Sequence, residues 1–160
     1  MIRIAPGDLN DPRVAELLLI HLARARAQTA PGSAHALDLS GLQTPDIRIW
    51  TAWEDGVLLG TGALKRLSPD HGEVKSMHTA QAARRRGVGT AMLRHIIGFA
   101  REQGMARLSL ETGSWEYFRP ALALYRSHGF VECPPFADYV ADPNSVFLSL
   151  DLRGARTARH

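Results

Sequence analysis

The chain predicts an α/β (α+β) fold, a mixed central sheet flanked by helices, and three observations predict it. Hydrophobic periodicity alternates between the two-residue period of strands and the longer period of helices along most of the 160 residues. Asp55-Gly56 lies between two alternating stretches, the signal of a hairpin turn. A strand, a helix and a second strand follow one another over residues 73–112, and such a crossover favours parallel pairing with ligands at the carboxyl ends of the strands. The length suits a single domain with a core of its own, expected to occupy about residues 1–152, with a basic tail over 153–160.

Residues 1–5 open the chain as a short strand, and Asp11-Pro12 supplies a helix cap with proline at the first helical position. Val14, Leu17, Leu18 and Leu22 then recur at helical spacing. Over residues 29–45 the period fails, broken by Pro31, Gly32, Gly41 and Pro45 around a helical turn at 35–39, and such a segment suits a cover over a substrate. Residues 47–53 and 57–67 form the hairpin strands, 69–72 a loop, and 73–79 a short third strand. A helix follows over 88–103 with Val88, Met92, Ile96 and Ala100 on one face and Gly104 as its stop, and then a strand over 105–112. Arg119-Pro120 starts a further helix carrying Ala121, Leu122, Leu124 and Tyr125, which Gly129 ends. Residues 130–133 and 145–152 close the sheet around a loop at 134–144, so the order is β-α-β-β-β-α-β-α-β-β, without internal repeats.

Charge and cysteine content exclude several classes of function. Nineteen basic residues against sixteen acidic ones leave +3, too slight an excess for a nucleic-acid surface without a clustered stripe. Arg84, Arg85 and Arg86 form the only tight cluster, beside the thin basic tail of Arg153, Arg156 and Arg159. The single cysteine, Cys133, excludes an internal disulfide framework and fits a reducing compartment, and nothing beside it in sequence would activate it as a nucleophile. The longest apolar run, residues 17–20, is far too short for a membrane span or a signal core, so a cytoplasmic chain with no membrane partner is expected. His35, His71 and His78 lack the paired spacing of a zinc site, and no metal is expected.

The stretch Arg84-Arg85-Arg86-Gly87-Val88-Gly89 carries the most chemistry. Two glycines let the backbone turn sharply and bring N–H groups close to a ligand, and the helix beginning there offers unpartnered N–H groups at its positive end, which together favour a phosphate. A Walker loop would need Gly-x-x-x-x-Gly-Lys-Ser/Thr, which is absent, and a dinucleotide fingerprint would need glycine where Met92 stands.

Arg84-x-x-Gly87-x-Gly89, after a strand and before a helix, resembles the pyrophosphate loop of the GNAT superfamily of acyl-CoA-dependent N-acetyltransferases, and the element order over nearly the whole chain is the GNAT order too. The resemblance implies one N-acetyltransferase domain of GNAT fold, whose parallel strand pair is splayed. It places the acetyl-CoA pyrophosphate on N–H groups of Arg85, Arg86, Gly87, Val88, Gly89 and Thr90 with arginine side chains, Arg84 included, screening its charge. The pantetheine arm would pair with the backbone of Met77, His78 and Thr79, where an N–H can also face the thioester carbonyl.

Leu124-Tyr125-Arg126-Ser127-His128-Gly129-Phe130 is similar to a second family signature, which makes Tyr125 the acid for the departing thiolate. Where the family often has asparagine seven residues earlier, this chain has Phe118, and no polar contact is carried onto it. Glu73 lies four residues before Met77, at the offset of a glutamate that some members use as general base, and His78 is the rival. Glu111 and Thr112 end the parallel strand near the expected meeting point of acceptor and thioester, His35 is carried as a further acceptor contact, and Trp50, Trp53 and Trp115 either line that pocket or pack. Residues 110–114, 136–139 and 142–147 are similar to a group of small bacterial acetyltransferases.

The activity so implied is direct acetyl transfer from acetyl-CoA to a primary amine of a small molecule or peptide. The alternative is a non-catalytic acyl-CoA sensor or docking module, and homodimers are frequent in the family.

Overall fold

A computed structural model describes residues 1–27, 44–80, 87–113, 118–137 and 139–153 of the chain. The order of elements is the expected one: β1 (Arg3–Pro6), α1 (Pro12–Ala27), β2 (Ile47–Glu54), β3 (Val57–Ser68), β4 (His71–Thr79), α2 (Val88–Glu102), β5 (Arg107–Gly113), α3 (Arg119–Ser127), β6 (Val131–Glu132) and β7 (Ser145–Asp151). The strands form a mixed sheet in the order β1-β2-β3-β4-β5-β7-β6. Among the described residues only β4 and β5 run parallel; every other neighbouring pair is antiparallel.

Turn chemistry places the boundaries. Asp55 and Gly56 both take positive φ, 51° and 78°, in the two-residue loop that joins Glu54 to its partner Val57. Asp11 caps α1 through its side chain, which accepts the Arg13 N–H at 2.9 Å. The loop expected over 69–72 is shorter than the sequence suggested, because His71 and Gly72 already belong to β4. Gly72 acts there as a packing glycine: a Cβ would lie 2.8 Å from Met105 Sδ and 2.9 Å from Leu64 Cδ1.

α2 and α3 end in the same way. Gly104 (φ 78°) and Gly129 (φ 96°) follow α2 and α3 in the left-handed conformation. Met105 N–H bonds Ala100 O at 3.0 Å and Gly104 N–H bonds Arg101 O at 3.0 Å; Phe130 N–H bonds Tyr125 O at 3.2 Å and Gly129 N–H bonds Arg126 O at 3.0 Å. These are Schellman motifs. In the second, the usual apolar contact across the cap is made by Tyr125 and Phe130, whose ring centroids are 5.7 Å apart. The Tyr-x-x-x-Gly-Phe string therefore has a local physical reason: glycine reverses the chain, and phenylalanine clamps the tyrosine.

Register assigns each strand residue to a face. The main core lies between the sheet and α2, where Val88, Met92, Leu93 and Ile96 meet Trp50, Ala52, Leu64, Val74, Leu108, Leu110, Leu148 and Leu150, with Tyr125 and Phe130 completing it. Val14 and Leu18 of α1 form a smaller cluster on the other face with Ile47, Ile49 and Trp53. β4 carries a bulge: His78 opposes Thr61 and Lys75 opposes Ala63, so Ser76 and Met77 together face the single residue Gly62. The parallel pairing of β4 with β5 covers only His71–Arg107, Gly72–Leu108 and Glu73–Ser109, whereas β5 stays paired with β7 as far as Gly113. Beyond Glu73 the two strands therefore part, and the splay expected from the resemblance is present.

Replacing Gly129 with Ala puts a Cβ at positive φ and 3.2 Å from Leu150 Cδ1. The expected loss is about 1–2 kcal/mol of unfolding free energy, read from urea denaturation followed by far-UV circular dichroism.

Candidate active site

α2 begins at the open end of the splay. Its cap residue, Gly87, is left-handed (φ 82°) and offers no side-chain cap, and the first intrahelical bond runs from Ala91 N–H to Gly87 O at 3.0 Å. The N–H groups of Val88, Gly89 and Thr90 accordingly have no acceptor among the described residues, and they point from the positive end of the helix. That is the arrangement a pyrophosphate requires. Gly89 lets α3 approach, since a Cβ there would come 3.0 Å from Leu124 Cδ2. The start of α2 and Tyr125 thus share one face of the sheet. Arg84, Arg85 and Arg86 lie outside the described residues, as do His35 and Trp115.

Tyr125 is buried, at 6% exposure, and burial pushes its hydroxyl well above the ordinary tyrosine range. It remains a phenol at any physiological pH, the state a proton donor needs. Met77 packs partly buried against the main core. Ala80 N–H bonds Leu59 O at 2.7 Å, and because main-chain groups alternate along a strand, those of Thr79 turn the opposite way, into the opening.

Glu73 occupies the other face at the last paired row before the strands part. It is 3% exposed, and both of its partners bind the same oxygen: Lys75 Nζ donates to Oε2 at 2.9 Å and the Tyr139 hydroxyl donates to Oε2 at 2.6 Å. Lys75 Nζ also donates to the Tyr139 oxygen at 3.1 Å, which closes a three-membered ring of contacts. Oε1 has no partner among the described residues. A buried carboxylate is tolerable only when paired, and removing Lys75 would leave it uncompensated at a cost of about 3–5 kcal/mol. For Tyr139, burial first, then the Glu73 charge and its hydrogen bond, push the hydroxyl far above its ordinary range.

The remaining candidates divide between the faces. His78 falls on the Glu73 face, because the bulge restores its side to that of Lys75. Glu111 shares that face through its pairing with Phe147, and its Oε2 accepts the Ser145 hydroxyl at 2.8 Å; Thr112 points to the opposite one. His71 Nε2 lies 2.7 Å from Ser109 Oγ, and burial and Arg107 lower its pKa from the ordinary value. Phe118 presses on β5, so that a Cβ on Gly113 would sit 2.2 Å from its ring. Trp50 packs edge-on to His95 and Phe99, and Trp53 packs with α1 beneath Arg13, so both tryptophans pack.

The profile of the acetyltransferase (GNAT) family matches residues 17–130. The chain is 47% identical over 152 residues to the uncharacterised N-acetyltransferase YedL of Escherichia coli (strain K12), an alignment covering 95% of this chain and 96% of that one. To the uncharacterised N-acetyltransferase YsnE of Bacillus subtilis (strain 168) it is 49% identical over 151 residues, 94% of this chain and 100% of the other. The chain belongs to the GNAT acetyltransferase family. Among solved structures, a Klebsiella pneumoniae protein assigned as an acyl-CoA N-acyltransferase superposes with a TM-score of 0.81 at 27% identity, covering 95% of this chain and 98% of that one. The acyltransferase activity and the mixed sheet with its splayed parallel pair are those of the family.

In this GNAT acetyltransferase two residues escaped the sequence reading, Lys75 and Tyr139. Lys75 had a signal, since two residues from Glu73 on a strand means the same face. Tyr139 is 66 residues away from Glu73, and nothing local announces that contact. Among the described residues no group of metal-ligating side chains occurs, and no helix is long and apolar enough to cross a membrane.

The raised phenols give a signed pH dependence. The folded chain holds Tyr125 and Tyr139 protonated where an unfolded chain would ionise them, so their contribution to stability is complete below about pH 10 and is lost as the pH climbs above it. In an alkaline titration followed by phenolate absorbance, both are expected to resist ionisation past about pH 10 and to ionise together with unfolding. Glu73→Gln removes a negative neighbour and should bring Tyr139 ionisation to lower pH, while Tyr125 stays put.

Proposed function

We propose that the chain moves an acetyl group from acetyl-CoA to a primary amine of a small molecule or peptide, by direct transfer while both substrates are bound. One observation carries this reading: the parted strands have unpartnered N–H groups and a buried phenol on one face and a buried carboxylate with a free oxygen on the other. In this reading the diphosphate rests on Val88, Gly89 and Thr90, with Arg84, Arg85 and Arg86 bringing positive charge to the same loop. The pantetheine arm takes the main-chain groups of β4 that β5 leaves unpaired, Thr79 among them, and the thioester comes to rest at the bulge around Met77 and His78.

The acceptor nitrogen attacks the thioester carbon from the Glu73 face. As the C–N bond forms, nitrogen gives a proton to Glu73; as the C–S bond breaks, Tyr125 gives a proton to sulfur. The net result is amide and free thiol, with the two side chains restored by exchange with solvent. Holding thioester and amine together supplies much of the acceleration. The single cysteine supports a cytoplasmic setting, and residues 1–160 are read as one acetyltransferase domain that needs no metal, nucleic acid or membrane, with pairing into homodimers as in related proteins.

Thiol release from acetyl-CoA with a panel of small amines, amino acids and peptide N-termini tests the reading. Turnover with at least one class is expected, and acetyl-CoA binding without turnover would instead support a sensor. Tyr125→Phe should lower kcat roughly a hundredfold while leaving acetyl-CoA affinity near that of the parent chain; unchanged turnover removes Tyr125 from the mechanism. Gly89→Glu, which puts a carboxylate into the cradle beside Leu124, should abolish acetyl-CoA binding in calorimetry.

A further inference from the structure

The loop joining β6 to β7 returns across the Glu73 face and brings Tyr139 to it. The turn that does so is held by a hydrogen bond from Tyr139 N–H to Phe136 O at 3.0 Å, and it places Ala137 at φ 52°. A non-glycine residue in the left-handed region is uncommon, and such strain persists only where surrounding contacts fix it. Here they are aromatic. Phe136 and Tyr139 stack edge-to-face at 5.2 Å between centroids, and Phe147 of β7 lies 6.0 Å from the first and 5.6 Å from the second. This packing sets the height and direction of the Tyr139 ring, and the ring sets the hydroxyl that donates to Glu73.

A glutamate on a strand can turn either oxygen to a neighbour. In this chain Lys75 and Tyr139 both bind Oε2, and the other oxygen is left unbonded at the row where β4 leaves β5. We propose that Tyr139 is a positioning residue for acyl transfer: together with Lys75 it fixes Oε2 of Glu73, so that Oε1 is the one basic atom presented to the acceptor amine. The β6–β7 loop thereby aligns the base without touching either substrate. Lys75 alone would not do this, because a flexible ammonium stem follows the carboxylate as it turns, whereas a ring packed between two others does not.

The inference rests on the transfer reading, and the test separates the two. Tyr139→Phe keeps the ring among Phe136 and Phe147 and removes only the hydroxyl; Tyr139→Leu removes both. With the amine that gives thiol release in the panel, positioning predicts that both variants lose kcat by roughly tenfold or more, with KM for acetyl-CoA unchanged because the cradle is untouched. A packing role predicts parental turnover for Phe and a loss for Leu alone, and that result overturns the inference. Glu73→Gln as fast as the parent chain, or a parent chain that releases thiol with no amine, removes the underlying reading and this one with it. Slow Glu73→Gln together with fast Tyr139→Phe removes only the positioning role. Should both Tyr139 variants fail to fold, proton NMR of the unmutated chain decides: the Tyr139 hydroxyl proton is expected downfield and slow to exchange with water, and a rapidly exchanging one overturns the assignment.

Discussion

The site depends on how two parallel strands are allowed to part. β4 and β5 share three paired rows, and each is then held by its other neighbour, β4 by β3 across a bulge and β5 by β7 through Gly113. Because both outer partners stay engaged, the gap cannot close by one strand drifting toward the other. Among the described residues, main-chain donors and acceptors of β4 beyond Glu73 have no partner in β5, and buried backbone groups are seldom left without partners. An opening of this kind asks for an extended, amide-bearing molecule, which is how the pantetheine arm of acetyl-CoA fits the proposal.

The gap also separates two kinds of chemistry. On the α2 and α3 face the groups are a helix start with free N–H groups and a phenol that burial keeps protonated. On the α1 face they are carboxylates, with Glu73 made tolerable in a nearly dry position by one ammonium and one hydroxyl. The sheet therefore holds the Tyr125 phenol and the Glu73 carboxylate on opposite faces, and in the proposed reaction a molecule reaching through the gap would meet both. The Schellman cap at Gly129 fixes the place of Tyr125, which is held by its own helix and by Phe130 across the turn.

Much of this was legible in the chain. The order of elements followed from periodicity and from Asp55-Gly56, Asp11-Pro12, Gly104 and Gly129, residues whose conformational preferences act within a few positions. Gly72 misled because a glycine closely following Pro69-Asp70 reads as a turn, whereas here its missing side chain admits Met105 and Leu64. The start of α2 at Gly87 was visible for the same local reason as the turns. Tyr139 was not, because its meeting with Glu73 is made by a loop whose path depends on packing among Phe136, Tyr139 and Phe147, and no pairwise spacing in sequence encodes that. The bulge at Ser76 and Met77 was likewise hidden, since the residue it faces, Gly62, lies across the hairpin, where α2 presses so close that a Cβ would meet Met92 at 2.6 Å.

The outermost strands set a limit on association. β1 has four residues and ends in Pro6, which has no N–H to give, and β6 has only two. Neither rim offers another chain a row of hydrogen bonds long enough to continue the ladder. Among the described residues a second copy would meet side-chain surfaces rather than a long strand rim, and the backbone that lacks a neighbouring strand lies within the sheet, between β4 and β5.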